Sequence, residues 1–245
     1  MPATSGTVWA VLAAGGEGGR LGLDRPKAFA PLGARVLLAE SLERLEESDW
    51  IDGIVVVVPD GWEEPAILLA EELGSGKMVA AVAGGLTRTA SVRAGIAEVP
   101  ADARVVLVHD AARPLVSSGV VERVLTGLNE GWDGVVPALP LADTVKRIRG
   151  AAVVETLERE NLRATQTPQA FLATALREAL ASGEEGSDCA TLVERRGGRV
   201  GVVEGERRLL KVTDAEDLAV VATWLGVAPA VPIGEDELEL EEDDD

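Results

Sequence analysis

Four short segments of this chain hold the residue types that handle phosphate. The first is Ala14-Gly-Gly-Glu-Gly-Gly-Arg-Leu-Gly22, followed closely by Pro26-Lys27. Five glycines come straight after an apolar run. Without a Cβ, the backbone N–H groups of such a loop can approach a ligand closely and cradle its phosphate oxygens. Arg20 and Lys27 bring two cations to the same place. The pattern is no P-loop, and Leu21 stands where the dinucleotide fingerprint needs its third glycine. Taken alone, the segment also fits a flexible turn.

The second segment is Val106-Leu-Val-His-Asp-Ala-Ala-Arg-Pro114. A strand there delivers His109 and Asp110 to its end, with Arg113 one turn on. A carboxylate in that position can hold Mg²⁺ or a ribose hydroxyl, and an arginine can fork a phosphate. Asp110 and Arg113 can equally pair with each other and merely fix the loop. His109 reads as a packed histidine and is not cast as a base. The third segment, Gly84-Gly-Leu-Thr-Arg-Thr-Ala-Ser-Val92, offers Arg88 and Ser91 to a nucleotide, or is simply a helix start capped by Thr87 or Thr89. The fourth, Leu210-Lys-Val-Thr-Asp214, reads as a short strand with Lys211 as a phosphate point charge or as a solvated edge lysine.

Composition limits what these segments can serve. The chain has 245 residues, 47% hydrophobic and 27% charged, enough for a sizeable core. Net charge is −19, from 42 acids against 23 bases. That balance excludes a non-specific nucleic-acid or anionic-membrane binder, both of which need a basic face. One cysteine and one histidine exclude an internal disulfide framework and argue against structural zinc. No run approaches the roughly 18 apolar residues of a membrane span. The apolar start at Val8 lacks the basic flank of a signal peptide. A soluble, cytoplasmic protein is expected.

The elements that must position the four segments alternate between two periods. Val8 to Ala13, Ile54 to Val58, Met78 to Ala83 and Arg104 to His109 read as strands, and Val135-Val136 starts another. Helical spacing covers Val36 to Glu47, Glu63 to Leu73, Thr89 to Glu98, Ser118 to Asn129, Leu172 to Ala181, Asp188 to Arg196 and Ala215 to Trp224. The last of these is introduced by Thr213-Asp-Ala-Glu216 as a capping box. The alternation implies an α/β fold, a mostly parallel sheet with helices on both faces. Ligands of such sheets bind at the carboxyl ends of the strands, so the loops after Ala13, Ala83 and His109 are where a site belongs.

From Leu139 to Gln169 the pattern loosens. Leu141 to Ile148 and Val153 to Leu157 read as two extended segments joined at Gly150, an arm over about 139–160 that packs on another subunit or stands as a surface hairpin. Residues 1–232 are expected to be one domain and residues 233–245 an acidic, disordered tail.

In this order the motifs resemble those of the 2-C-methyl-D-erythritol 4-phosphate cytidylyltransferase family, over roughly Val8 to Leu225. The resemblance rests on the glycine-rich loop ending at Leu21, Pro26-Lys27, Arg88-Thr-Ala-Ser-Val92, His109-Asp-Ala-Ala-Arg-Pro114, Asp143-Thr144, Thr167-Pro-Gln169 and Lys211-Val-Thr213. It implies a Rossmann-like nucleotidyltransferase fold with a protruding β-arm. It also implies cytidylyl transfer from CTP to methylerythritol phosphate, with release of pyrophosphate, in non-mevalonate isoprenoid precursor synthesis. A cytidylyltransferase acting on ribitol 5-phosphate or another alditol phosphate is the alternative.

The roles the resemblance implies follow motif by motif. Arg20, Lys27 and Lys211 are the catalytic cations. Ala14, Gly15, Gly16 and Gly18, with Gly84, Arg88, Ser91 and Asp110, frame the nucleotide. Arg113, Thr144, Arg159 and Thr167 bind the acceptor, with one arm residue donated by the partner of a homodimer. Asp110 is placed by the ribose or by Mg²⁺ (or another divalent cation), where it holds the site in order. The chain departs from the family pattern in three places: Ala13 replaces a common Pro, Gly15 replaces a common Ala, and the acidic tail has no counterpart. A regulatory nucleotide-binding module would leave all these cations without a use. An NAD enzyme would need the missing glycine and an acidic residue where Pro59 stands.

Overall fold

The computed structural model describes residues 7–228, residue 17 excepted. Its elements are β1 (Val8–Ala13), β2 (Pro31–Leu32), β3 (Arg35–Val36), α1 (Leu37–Glu46), β4 (Gly53–Val58), α2 (Glu63–Leu73), β5 (Met78–Ala83), α3 (Arg88–Glu98), β6 (Val105–Asp110), α4 (Ser118–Gly127) and β7 (Gly134–Pro140). They continue with β8 (Val145–Arg149), β9 (Ala152–Leu157), β10 (Arg163–Thr165), β11 (Gln169–Leu172), α5 (Ala173–Ala181), α6 (Cys189–Arg195), β12 (Val200–Glu204) and α7 (Ala215–Leu225).

Eight of these strands form one sheet, in the order β10-β7-β11-β6-β1-β4-β5, with β12 also against β7. β1 lies between β4 and β6 and is parallel to both. β11 enters antiparallel between β6 and β7. β4 and β6 are buried at every position, as strands covered on both faces must be.

The period of two in a strand sends neighbours to opposite faces, and it divides the core. Leu12, Val56 and Leu107 join α1, α2 and α4 on one face. Val11, Val55 and Val106 join α3, α5 and α6 on the other. A third apolar group sets α7 against the glycine-rich loop, through Leu21, Val212 and Leu218.

Helices α3 and α5 tie each other's last turns. Arg177 of α5 donates from Nη1 to the Ile96 carbonyl at 3.3 Å and from Nη2 to the Val99 and Pro100 carbonyls at 2.8 and 3.0 Å. Arg93 of α3 returns the contact, Nε to the Leu180 carbonyl at 3.1 Å. Cations at these ends also meet the negative pole of each helix dipole.

Four expectations need correcting. Lys211 lies in an irregular loop, not a strand; Val212 N–H donates to the Ala112 carbonyl at 2.8 Å and holds that loop to the end of β6. The cap of α7 sits one residue later than expected. Asp214 accepts from Asp217 N–H at 3.0 Å, and Asp217 reaches back to Thr213 N–H at 2.8 Å. The strands β10, β11 and β12 were not expected. The arm is shorter than read, because 139–140 continue β7 and the hairpin proper is β8 and β9, turning through Gly150 at φ +58°. The acidic tail lies outside the described residues.

Candidate active site

A cavity of about 300 Å³ opens at the carboxyl ends of β1, β5 and β6. The loops that follow those strands supply most of its wall, as the sheet topology requires. Ala14, Gly15 and Gly16 come from the first, Gly85 to Arg88 from the second, and Asp110 to Ala112 from the third. Lys27, Ser91 and Lys211 complete it.

The glycine-rich loop is shaped by its own backbone. Ala14 N–H bonds the Val57 carbonyl at 2.7 Å, and Lys27 N–H bonds the Gly16 carbonyl at 2.9 Å. A Cβ on Gly18 would stand 2.1 Å from the Arg25 carbonyl oxygen, so no other residue fits there without moving the chain. Gly18 therefore closes the loop and does not itself line the cavity. Lys27 is buried, its stem packed over Gly16. Arg20 belongs to the short turn Gly19–Leu21, and its side chain lies outside the described atoms.

The second loop is held by a hydroxyl. Ser91 Oγ accepts from Gly85 N–H at 3.2 Å and lies 2.9 Å from the Thr87 carbonyl oxygen. Thr87 caps α3 by accepting from Ala90 N–H. Gly85, not Gly84, faces the cavity. Gly84 packs beneath it, where a Cβ would stand 2.7 Å from Ser91 Oγ.

Asp110 is the hub. Its Oδ1 accepts from Arg88 Nε and Nη2 at 3.1 and 2.9 Å, and its Oδ2 accepts from Lys211 Nζ at 2.8 Å. Burial alone would push the carboxyl's pKa up. Arg88 and Lys211 outweigh burial and hold it well below the usual carboxylate range. Arg88 also points Nη1 at Cys189 Sγ, 3.7 Å away. Burial pushes that thiol up to about 11, so it stays protonated at neutral pH.

Below Asp110 lies a largely buried chain of polar groups. Asp110 N–H donates to Thr167 Oγ1 at 3.1 Å. Thr167 Oγ1 is 3.0 Å from His109 Nδ1, and His109 Nε2 is 3.1 Å from the Arg113 carbonyl oxygen. Burial pushes the imidazole down to about 4. Arg113 Nη1 donates to the Leu209 carbonyl at 2.6 Å, which fastens the approach to Lys211.

A second, smaller hollow of about 120 Å³ shares Arg88, Asp110 and Lys211 with the first. Arg113, Thr167, Gln169 and Asp188 contribute to its other walls. The three shared charges form the partition between two compartments. Arg20 aside, the fold thus brings together the expected cavity residues except Gly18 and Gly84, which shape the loops from behind. Thr144 and Arg159 are not brought in. Both are exposed at the base of the arm, where Arg159 bonds the Ala142 carbonyl. Gln169 and Asp188 were missed as site residues. Gln169 was visible only as part of a motif, and Asp188 only as a helix start.

A family model described as IspD, 2-C-methyl-D-erythritol 4-phosphate cytidylyltransferase, matches residues 8–226. The chain belongs to that family. A protein of that name from Nocardia farcinica is 43% identical over 221 residues, spanning 90% of this chain and 94% of that protein. One from Saccharopolyspora erythraea is 44% identical over 224 residues, 89% of this chain and 99% of the other. The crystal structure of the cytidylyltransferase from Thermus thermophilus superposes with a TM-score of 0.72 at 36% identity, over 89% of this chain and 98% of that one. As a member of the cytidylyltransferase family the chain is a nucleotidyltransferase, and its reaction is CTP-dependent cytidylyl transfer to methylerythritol phosphate. The ribitol 5-phosphate alternative is not favoured.

Proposed function

We propose that the two compartments are the two substrate sites of one in-line transfer. CTP takes the larger, and the acceptor phosphate enters through the smaller. A phosphate oxygen of the acceptor forms a bond to the α-phosphorus of CTP, and the α–β bridging bond breaks to release pyrophosphate. The attacking phosphate is already an anion, so no protein nucleophile or base is required. The protein's work is positioning and charge neutralisation. The observation that carries this reading is the partition itself. Lys211 and Arg88 both stand on Asp110, each facing both hollows.

In this reading Lys27, with Arg20, meets the triphosphate and steadies the charge that moves to the leaving group. Lys211 serves the α-phosphate. The backbone of residues 14–16, with Gly85, Arg88 and Ser91, frames the nucleotide, while Gly18 and Gly84 shape those loops from behind. Arg113 and Thr167 serve the acceptor. Asp110 keeps Arg88 and Lys211 in place.

A divalent cation, Mg²⁺ by the chemistry of a triphosphate, belongs to the same reading. Among the described residues no cluster of three or more His, Cys, Asp or Glu side chains is arranged to hold a metal. Mg²⁺ needs only one or two carboxylates when phosphates and water supply the rest, and among the described residues Asp110 is the one carboxylate lining the larger cavity. When bound, the ion neutralises charge on the triphosphate.

The proposal includes a homodimer built on the arm. Ile148, Val153 and Val154 on its two strands are 64%, 58% and 51% exposed. Thr144 and Arg159 reach neither compartment of their own chain, which is the arrangement expected if they serve a neighbour's. We place the work in the cytoplasm. No described helix is long and apolar enough to cross a membrane.

The test is pyrophosphate release from CTP and Mg²⁺, with methylerythritol phosphate and ribitol 5-phosphate offered separately. Turnover with the first alone is the expected result. Turnover with the second alone would move the acceptor assignment while keeping the cation roles.

A further inference from the structure

Thr167 has one hydroxyl proton, and the structure shows where it goes. The Arg113 carbonyl has no proton to give, so the 3.1 Å contact with His109 Nε2 requires the proton on Nε2. The ring is fully buried, and burial outweighs the pull of the neighbouring Asp110 carboxylate, so it is held neutral. A neutral imidazole protonated at Nε2 is bare at Nδ1. The 3.0 Å contact between Nδ1 and Thr167 Oγ1 is then a bond in which threonine donates. Asp110 N–H occupies one of that oxygen's two lone pairs at 3.1 Å. The Thr167 hydroxyl is left with one lone pair and no proton.

We infer that His109 fixes the polarity of Thr167, so that Thr167 accepts a hydrogen bond from a hydroxyl of the polyol and cannot donate one to a phosphate oxygen. His109 is a positioning residue here and Thr167 a specificity-determining one. This rests on reading the smaller hollow as the acceptor's compartment. A phosphate oxygen set against Thr167 would place lone pair on lone pair, whereas a substrate hydroxyl set there satisfies both groups. The phosphate end of the acceptor is thereby turned toward Lys211 and Arg88, and the polyol end toward Thr167. A site built to accept from a hydroxyl rejects an analogue that lacks it, because its own polar group is then left unpaired.

His109 is the chain's sole histidine, so the proton can be located directly. In protein labelled with ¹⁵N-histidine, the ring near neutral pH should show a protonated-type Nε2 and an unprotonated-type Nδ1. A proton on Nδ1, alone or together with Nε2, overturns the inference. Kinetics supply the second arm. Thr167→Val, close in shape, should lower kcat/KM for methylerythritol phosphate by roughly 10- to 100-fold with the CTP KM held, and Thr167→Ser should restore most of it. Inhibition by inorganic phosphate should be the same in wild type and Thr167→Val. If the valine variant instead loses phosphate inhibition, the hydroxyl donates to phosphate and the inference fails. If it turns over like wild type, Thr167 reads nothing. A wild-type chain without turnover would sink the acceptor reading and the hydroxyl assignment with it. The nuclear resonance result would still decide the polarity.

Discussion

Lys211 Nζ lies 2.8 Å from Asp110 Oδ2 across 101 residues of chain. The pair links the end of a fully buried strand to a loop with no regular structure. Two tethers make the meeting reproducible: Arg113 Nη1 on the Leu209 carbonyl, and Val212 N–H on the Ala112 carbonyl. The lysine is carried to the strand end by the same loop it serves.

Asp110→Asn should therefore cost more than one interaction. A carboxamide can accept from Arg88 or from Lys211, but its NH₂ must face the other cation. The Asp110 carboxylate is buried but Arg88 and Lys211 are partly exposed, so the expected loss is about 1–3 kcal/mol, below that of a fully buried pair. Urea unfolding should show that loss, and kcat/KM should fall by about 100-fold. A variant with wild-type stability and turnover would remove Asp110 from the hub.

Lys27→Ala is expected to separate rate from binding. A cation that meets charge developing on the leaving group acts mainly in the transition state. The expected loss in kcat is about 100-fold, with a much smaller rise in the CTP KM. Steady-state pyrophosphate release decides this, and an unchanged kcat would exclude the role.

Acid should loosen the protein in two stages. The folded His109 sits near 4 against an ordinary value of about 6.5. Between those values the unfolded chain binds the extra proton, so stability falls as pH drops through that window. The size expected is about 3 kcal/mol. Asp110 is depressed below its ordinary range by its two cations, and its stabilisation is lost only at lower pH, as the carboxylate is protonated. Urea midpoints measured from pH 7.5 to 4 should fall. A flat profile across that interval would mean that His109 is not buried in its neutral form.

Ile148 and Val153 are cross-strand partners on the arm and both are exposed. Changing both to Asp should leave the sheet core untouched. If the arm forms the dimer, sedimentation should show monomers and turnover should fall by about tenfold or more, since Thr144 and Arg159 would lose their target. An unchanged dimer with full activity would place the contact elsewhere.

How much of this was legible in the sequence varied with burial and periodicity. Strands such as Val8–Ala13 and Met78–Ala83, and the helix Glu63–Leu73, carry their boundaries in apolar spacing and flanking breakers. The four residues of Gln169–Leu172 do not, because a short antiparallel insert with a leading Gln has no run long enough to show a period. In Val200–Glu204 the glycine at 201 interrupts the pattern, yet it is needed because a Cβ there would meet the Trp132 ring. In the site, single residues such as Arg88, Asp110 and Lys211 were readable from their types. Their mutual contact was not, because nothing local links positions 88, 110 and 211. The buried relay of His109 and Thr167 was equally invisible, since it depends on tertiary hydrogen bonds.

The paired arginine ties between α3 and α5 bear on the cavity from a distance. Arg88 opens α3 at the cavity, while Arg177 grips the other end of that helix. The wall that carries Arg88 and Ser91 is thus anchored at both extremities, like a rod clamped at tip and butt. If CTP takes this cavity as proposed, such a wall is a fixed gauge for it, and any accommodation has to come from the facing side. Substitutions at Arg177, on the far end of α3 from the chemistry, would loosen this wall and let Arg88 and Ser91 shift against the facing loops, while Lys27 and Lys211, held by other segments, keep their places.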